Sequence, residues 1–411
     1  MRVLFCAFDS PGHLFPLVGV ALEMRRRGHA VAFATGLPAA ATLEAVGLER
    51  IPRGEREGPS FRLNTHHAAL SVQIDTAHAE WAAQHFRPDV VVTHQLCYAP
   101  LMLRERMGVP VAVMGLFSYL WPHAPSFGPP RPGEVDLEPV RHWRLGSDLG
   151  TLNAAREALR LPPLAADPAD VPFLADLFML RTAPELEPDL ARLPPRVHAA
   201  GACLWEPPRD EAAEWEALRA DFARPGAPLL YVQHGRTFGV PGFWAQLTEA
   251  LAEVDVQVVA SVGRMDQEVT AAPPSFVVRG HVPQGLVLPR AAAVVSGGHS
   301  SAVLAALAHG LPGVVVPSGA ETPDNAEKLA EAGCVLRLWP ESLTAEEMRG
   351  AVEAALAGGE LARRSRRAGA ALARMDGFGR AAELVERLGA TGARVDREAE
   401  EAPAELAVAA A

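Results

Sequence analysis

The sequence predicts an α/β protein built from two doubly wound domains in tandem, facing a cleft. Three observations carry that expectation. Near-continuous apolar strand candidates alternate with helix-like segments through the first half, prolines break the pattern in the middle, and the β-α rhythm then restarts. Apolar runs without alternation mark strands covered on both faces, as in parallel sheets whose crossovers are helices. At 411 residues, two domains is the leading expectation, and 49% hydrophobic with 21% charged residues is ordinary globular composition. Disordered, collagen-like and small disulfide-stapled proteins are excluded. A net charge of −11 argues against a nucleic-acid backbone as the main partner.

Residues 2–8 form a short apolar run ending in a Gly/Pro turn. Leu14, Leu17, Val18, Ala21 and Leu22 follow at helical spacing, and Gly28 stops that helix after three arginines. Strands are expected at 30–34, 89–93 (DVVVT) and 109–114, with helices at 42–46 and 101–107. Residues 122–139, rich in Pro and Gly, read as a long loop, and 151–161 as a helix stopped by Pro162 and Pro163. Proline-containing breaks at 206–209 and 224–228 enclose a short acidic helix at 210–222. Strands then recur at 229–232, 257–261, 276–278, 293–296, 314–317 and 335–338, with helices at about 243–252, 301–309 and 325–332. The expected domains are 1–205, a linker at 206–227, and 228–375. A helix at 376–390 is expected to return to the N-terminal domain, and 391–411 to form a disordered tail.

Cys6, Cys97, Cys203 and Cys334 are far apart, with no CxxC and no Cys/His metal spacing. Cys6 and Cys334 sit in apolar runs and read as core residues, so a reducing cytoplasm is the expected compartment. The apolar run at 3–8 is too short for a signal peptide, and no stretch approaches 18 uncharged apolar residues, so no membrane span is expected.

Three segments carry candidate chemistry. In DSPGH (9–13), Gly12 lets the chain turn into a helix and His13 stands at the mouth of the sheet. An imidazole there can abstract a proton, its ordinary pKa being about 6.5, or simply cap the helix. In SGGHSS (296–301), adjacent glycines at a strand–helix junction allow close backbone approach. The helix N-terminus favours a phosphate, although Gly-Gly is also a plain turn. In PSGAETPDNA (317–326), Glu321 can accept from sugar hydroxyls or complement a helix dipole.

These pieces, in this order, resemble the UDP-glycosyltransferase superfamily, in particular its bacterial branch that decorates natural products. The resemblance covers nearly the whole chain. It rests on SPGHLFPLVGVALEMRRRGHAVAFATG (10–36), LNAAREALRLPP (152–163), GHVPQ (280–284) and residues 293–326. It implies the GT-B fold, with two Rossmann-like domains, and a sugar moved from a dTDP- or UDP-sugar co-substrate to a small hydrophobic acceptor. His13 would be the general base of an inverting reaction. Loop amides and a helix N-terminus would stabilise the leaving diphosphate without an obligatory metal or other cofactor. Val282 and Gln284 would hold the base and ribose, and Glu321 and Thr322 the sugar hydroxyls.

The chain departs from the pattern in three places. The usual donor-loop histidine position is Gly297 and the usual threonine is Ala302, so Gly298, His299, Ser300 and Ser301 are the candidates to hold the diphosphate. Arg236, followed by Thr237, stands where the family has a small hydroxyl residue, either restoring positive charge at the phosphates or as a solvated loop arginine. The acid that orients the base is matched by His94, with Asp9 as an alternative. Acceptor recognition is expected from Gly12 and from variable loops at 61–86 and 118–127. Their His66, Trp81, Tyr119 and Trp121 would stack on a flat acceptor, or equally pack the core. The expected partners are thus a small-molecule acceptor and a nucleotide sugar, with no nucleic acid or integral membrane contact, and a homodimer as one assembly. Two other functions stand beside glycosyl transfer: a sugar-nucleotide epimerase or hydrolase, and a degenerate, non-catalytic activator of a partner enzyme.

Overall fold

The structure is a computed structural model that describes residues 1–54, 57–123, 135–165, 167, 171–235, 239–263, 269 and 272–397. The chain divides into two compact units. One is Met1–Pro207 together with the chain from Met375 onward, and the other is Pro208–Arg374.

The first unit alternates β1 (Arg2–Ala7), α1 (Pro11–Arg26), β2 (Ala30–Thr35), α2 (Ala40–Ala45), β3 (Glu49–Ile51), α3 (Ala69–Phe86), β4 (Val90–His94), α4 (Leu103–Met107), β5 (Val111–Gly115), α5 (Glu138–Ala158), β6 (Leu177–Leu180) and β7 (Val197–Ala199). All seven strands are parallel, in the order β3-β2-β1-β4-β5-β6-β7. Successive β1 residues feed opposite cores, with Leu4, Cys6 and Phe8 on one face and Val3, Phe5 and Ala7 on the other, which is why the strand reads as an unbroken apolar run.

The second unit contains α6 (Glu211–Arg219), β8 (Leu229–Gln233), α7 (Phe243–Leu251), β9 (Gln257–Ser261), β10 (Phe276–Arg279), α8 (Gln284–Val287), β11 (Ala293–Ser296), α9 (Ser300–Ala308), β12 (Gly313–Val315), α10 (Thr322–Glu331), β13 (Val335–Arg337), α11 (Ala345–Leu356) and α12 (Gly359–Ala373). Its six parallel strands run β10-β9-β8-β11-β12-β13. Each unit is thus a Rossmann-like sheet with a reversal of strand order, at β1/β4 in the first and β8/β11 in the second. A crevice opens at the carboxyl ends of strands at such a reversal.

Several expectations are corrected. Residues 69–86 form the 18-residue helix α3 rather than a loop, and α5 begins at Glu138 rather than 151. Strands β3, β6 and β7 were not anticipated. Strand β5 starts at Val111 because Pro110 has no N–H to give the ladder, and its carbonyl accepts from Val91 instead. Helix α6 belongs to the second unit rather than to a linker. It packs on α8, and Arg290 lies 4.5 Å over the Trp215 ring.

The last helix, α13 (Gly377–Thr391), packs along α1 within the first unit, with Ala381, Ala382, Leu384, Val385 and Leu388 fully buried. Gly19 of α1 is in such close contact with the Phe378 ring that a Cβ there would collide with it. The chain stays anchored beyond the helix, against the expectation of disorder from 391. Val395 is buried and its amide donates to the Asp176 carbonyl at 3.1 Å, while the Arg397 amide donates to the Pro195 carbonyl at 2.8 Å. The remaining tail lies outside the described residues. Among those described, no helix is long and apolar enough to cross a membrane, and all four cysteines are buried thiols.

Candidate active site

At the β1/β4 reversal, the chain leaves β1 through Asp9 and Ser10. Ser10 is the extended N-cap of α1 (φ −87°, ψ 142°), Pro11 opens the helix, and Gly12 is exposed. His13 then sits half-buried on the first turn. Its Nδ1 is 2.8 Å from Ser10 Oγ, so the cap hydroxyl serves the imidazole rather than a backbone amide. The Phe8 ring approaches His13 edge-on at 5.6 Å and the His94 ring at 4.3 Å. His94, the last residue of β4, is 3% exposed, and among the described residues its Nδ1 has no hydrogen-bond partner. Burial, reinforced by His13 and by Arg181, holds its pKa well below the ordinary histidine value, so the ring is neutral. Arg181 follows β6 and is itself buried, which lowers its pKa to about 10. Its Nε donates to the Ala202 carbonyl at 3.0 Å, and its Nη2 has no partner among the described residues. The Asp9 amide is tied to the Phe61 carbonyl at 3.1 Å, its carboxylate lies against Gly36, and burial raises its pKa.

The second unit builds a compact loop at the β8/β11 reversal. Gly298 adopts φ +83°, and a Cβ there would stand 2.9 Å from Val315 Cγ1, so only glycine fits. A Cβ on Gly297 would collide with the His234 carbonyl, and one on Gly235 with the His299 ring. His299 is the extended N-cap of α9. Asn325 Nδ2 donates at 2.9 Å to both the Gly298 carbonyl and Ser300 Oγ, fastening α10 to the loop. Ser300 Oγ donates to Glu321 Oε1 at 3.4 Å, and His299 Nδ1 lies 3.9 Å from the same oxygen. Ser301 is half-buried on the first turn of α9. The amides opening a nine-residue helix, preceded by two glycines, form a preorganised anion-favouring terminus. Nearby, the Val282 amide donates to Ser261 Oγ at 3.0 Å and its carbonyl accepts from Tyr231 at 3.1 Å, while half-buried Gln284 opens α8.

The expected acceptor and donor residues do not all converge. His66 does reach the His13 neighbourhood, with its ring 5.9 Å from Phe8. Its Nδ1 is on the Leu63 carbonyl at 2.5 Å, and it is 3.5 Å from the His67 ring. Burial lowers the His66 pKa. His67 Nδ1 lies 3.6 Å from Asp148, a carboxylate that the sequence reading missed. Tyr119 is a core residue: it is 1% exposed, packs tilted against Phe173 and donates to Asp148 at 2.5 Å. Trp121 is half-buried and edge-on to His142 at 4.7 Å. Trp81 lies twelve residues into α3, roughly 18 Å along its axis, toward the amino end of β4. It packs into the core and onto His85, away from His13. Thr322 is fully buried. Its hydroxyl accepts from the Ser318 and Gly319 amides and donates to the Gly319 carbonyl, so it closes the turn and offers nothing to a sugar. Arg236 and Thr237 lie outside the described residues. Among the described residues, no group of three or more His, Cys, Asp or Glu could hold a metal.

The comparisons agree with the fold. Residues 245–386 match the family described as erythromycin biosynthesis protein CIII-like, C-terminal domain. The 4'-demethylrebeccamycin synthase of Lentzea aerocolonigenes is 28% identical over 393 residues, covering 86% of this chain and 91% of that protein. The chain is a glycosyltransferase with the GT-B fold. The NDP-glycosyltransferase YjiC of Bacillus subtilis (strain 168) is similar to this glycosyltransferase at 24% identity, over 91% of this chain and 94% of YjiC. The crystal structure of the kitacinnamycin glycotransferase superposes with a TM-score of 0.71 at 24% identity, covering 94% of this chain and 98% of that one, which places the fold.

Proposed function

We propose that this glycosyltransferase inverts the anomeric carbon of a nucleotide-diphosphate sugar, with His13 as the general base. The observation that carries this reading is the pairing of His13 Nδ1 with Ser10 Oγ at the β1/β4 reversal. A proton on Nδ1, donated to the serine oxygen, places the lone pair on Nε2. That nitrogen takes the acceptor hydroxyl proton as the oxygen attacks the anomeric carbon and the carbon–phosphate oxygen bond breaks. The leaving diphosphate keeps the bonding pair and is stabilised by the amides at 298–301. Neutral, buried His94 walls the ring on one side, buried Phe8 packs edge-on to it, and half-buried His66 offers a stacking surface to a small acceptor. The donor proposed is a dTDP- or UDP-sugar, which the name of the NDP-glycosyltransferase YjiC supports, and the relatives named for natural products support an acceptor of that class.

His13→Ala is expected to keep the melting temperature and nucleoside-diphosphate affinity of the wild type while transfer falls by about 10²–10⁴. Transfer near the wild-type rate, assayed with a dTDP- or UDP-sugar and an acceptor panel, would remove His13 from the base role.

A further inference from the structure

One buried group beside the donor loop is only partly used by the fold. His234 follows β8 and is 1% exposed. Its ring lies parallel to Phe243, with centroids 3.8 Å apart and 7° between planes, and its Nε2 accepts the Val240 amide at 3.2 Å. An imidazole that accepts at Nε2 carries its proton on Nδ1. Burial, with His299 adding to it, pushes the pKa down to about 3, so the ring stays neutral and the tautomer is fixed. Yet among the described residues Nδ1 has no hydrogen-bond partner. Buried donors are rarely left this way in native proteins, and each such case calls for an explanation.

The position of that donor supplies one. Strands β8 and β11 are paired with Ser296 opposite Gln233, and the Gly297 amide donates to the Gln233 carbonyl at 3.2 Å, so the two strand ends leave the sheet side by side. A Cβ on Gly297 would stand 3.4 Å from His234 Nδ1. The Nδ1 atom therefore lies beside the first of the two glycines that lead into the α9 amides. We propose that His234, through Nδ1–H, is a fixed neutral donor to the diphosphate held on the 297–301 loop. The inference rests on the reading of that loop as the nucleotide-sugar site. It assigns part of the diphosphate recognition to a histidine on the neighbouring strand rather than on the loop itself.

Calorimetry on the full chain with dTDP and UDP, and with thymidine and uridine as phosphate-free controls, separates the two claims. The wild type is expected to bind at least one diphosphate. No binding of either at millimolar concentration overturns the donor-site reading, and this inference with it. His234→Phe keeps an aromatic ring on Phe243 and removes the donor. It is expected to weaken the diphosphate roughly tenfold or more while leaving the nucleoside unchanged. His234→Asn, which keeps an N–H near the Nδ1 position, is expected to recover most of that loss. Unchanged diphosphate affinity in His234→Phe, or equal losses for diphosphate and nucleoside, overturns the role of His234 and leaves the donor site standing. Nitrogen-15 histidine spectra of the wild type give a readout that needs no variant. The His234 Nδ1–H resonance is expected to shift with the diphosphate and not with the nucleoside, and an unmoved resonance overturns the proposal.

Discussion

At the scale of single residues, the His13 imidazole meets a hydroxyl at Nδ1 and a neutral ring beside it. Ser10 Oγ can fix the tautomer of His13, but it brings no negative charge to stabilise an imidazolium. Ser10→Ala is therefore expected to lower kcat by about tenfold, one hydrogen bond's worth, with donor affinity unchanged. A kcat equal to wild type would show that Ser10 does not orient the base. The pair was legible in advance, since serine and histidine three apart at a helix start lie on one face. His94 could be read only as a position. That it is neutral and pressed between His13 and Arg181 depends on burial, which local sequence does not encode. The same holds for Asn325, whose amide joins two segments 27 residues apart, and for Thr322, whose hydroxyl is spent on its own turn.

Among the elements, legibility followed burial on both faces. Strands β1, β2, β4 and β8–β11 have unbroken apolar centres and lie within a residue or two of the expected ends. Strands β3 and β7 have only three residues each, and β6 lies among prolines and acidic residues that read as loop. Helix α3 was missed because its alanine-, histidine- and glutamine-rich sequence shows little one-sided pattern, although alanine, glutamine and glutamate favour helix. The contact of α1 with α13 tests how far packing depends on one missing side chain. Gly19→Val would drive a side chain into the Phe378 ring and is expected to cost about 1–3 kcal/mol in chemical denaturation. Adding Phe378→Ala should return part of that loss. Additive costs in the double mutant would show that the two positions do not meet.

For the whole molecule, the unequal continuity of the two units matters. The second is one uninterrupted stretch, Pro208–Arg374, whereas the first is completed by a segment from the far end of the chain. Leu384, Val385 and Leu388 are each fully buried there, at about 1.5–3 kcal/mol apiece, a large share of the roughly 5–15 kcal/mol of an ordinary domain. A fragment of residues 208–374 is expected to unfold cooperatively in urea, while residues 1–207 alone give no cooperative transition. A sharp transition from 1–207 would mean that α13 is dispensable to that core.

The return of α13 to α1 also sets a timetable for biosynthesis. The ribosome delivers the first strand hundreds of residues before the helix that covers α1. The stretch carrying His13 must therefore wait, with an apolar flank open to chaperones, while the later-made Pro208–Arg374 sheet can already close. The oldest part of the nascent chain is the last to finish.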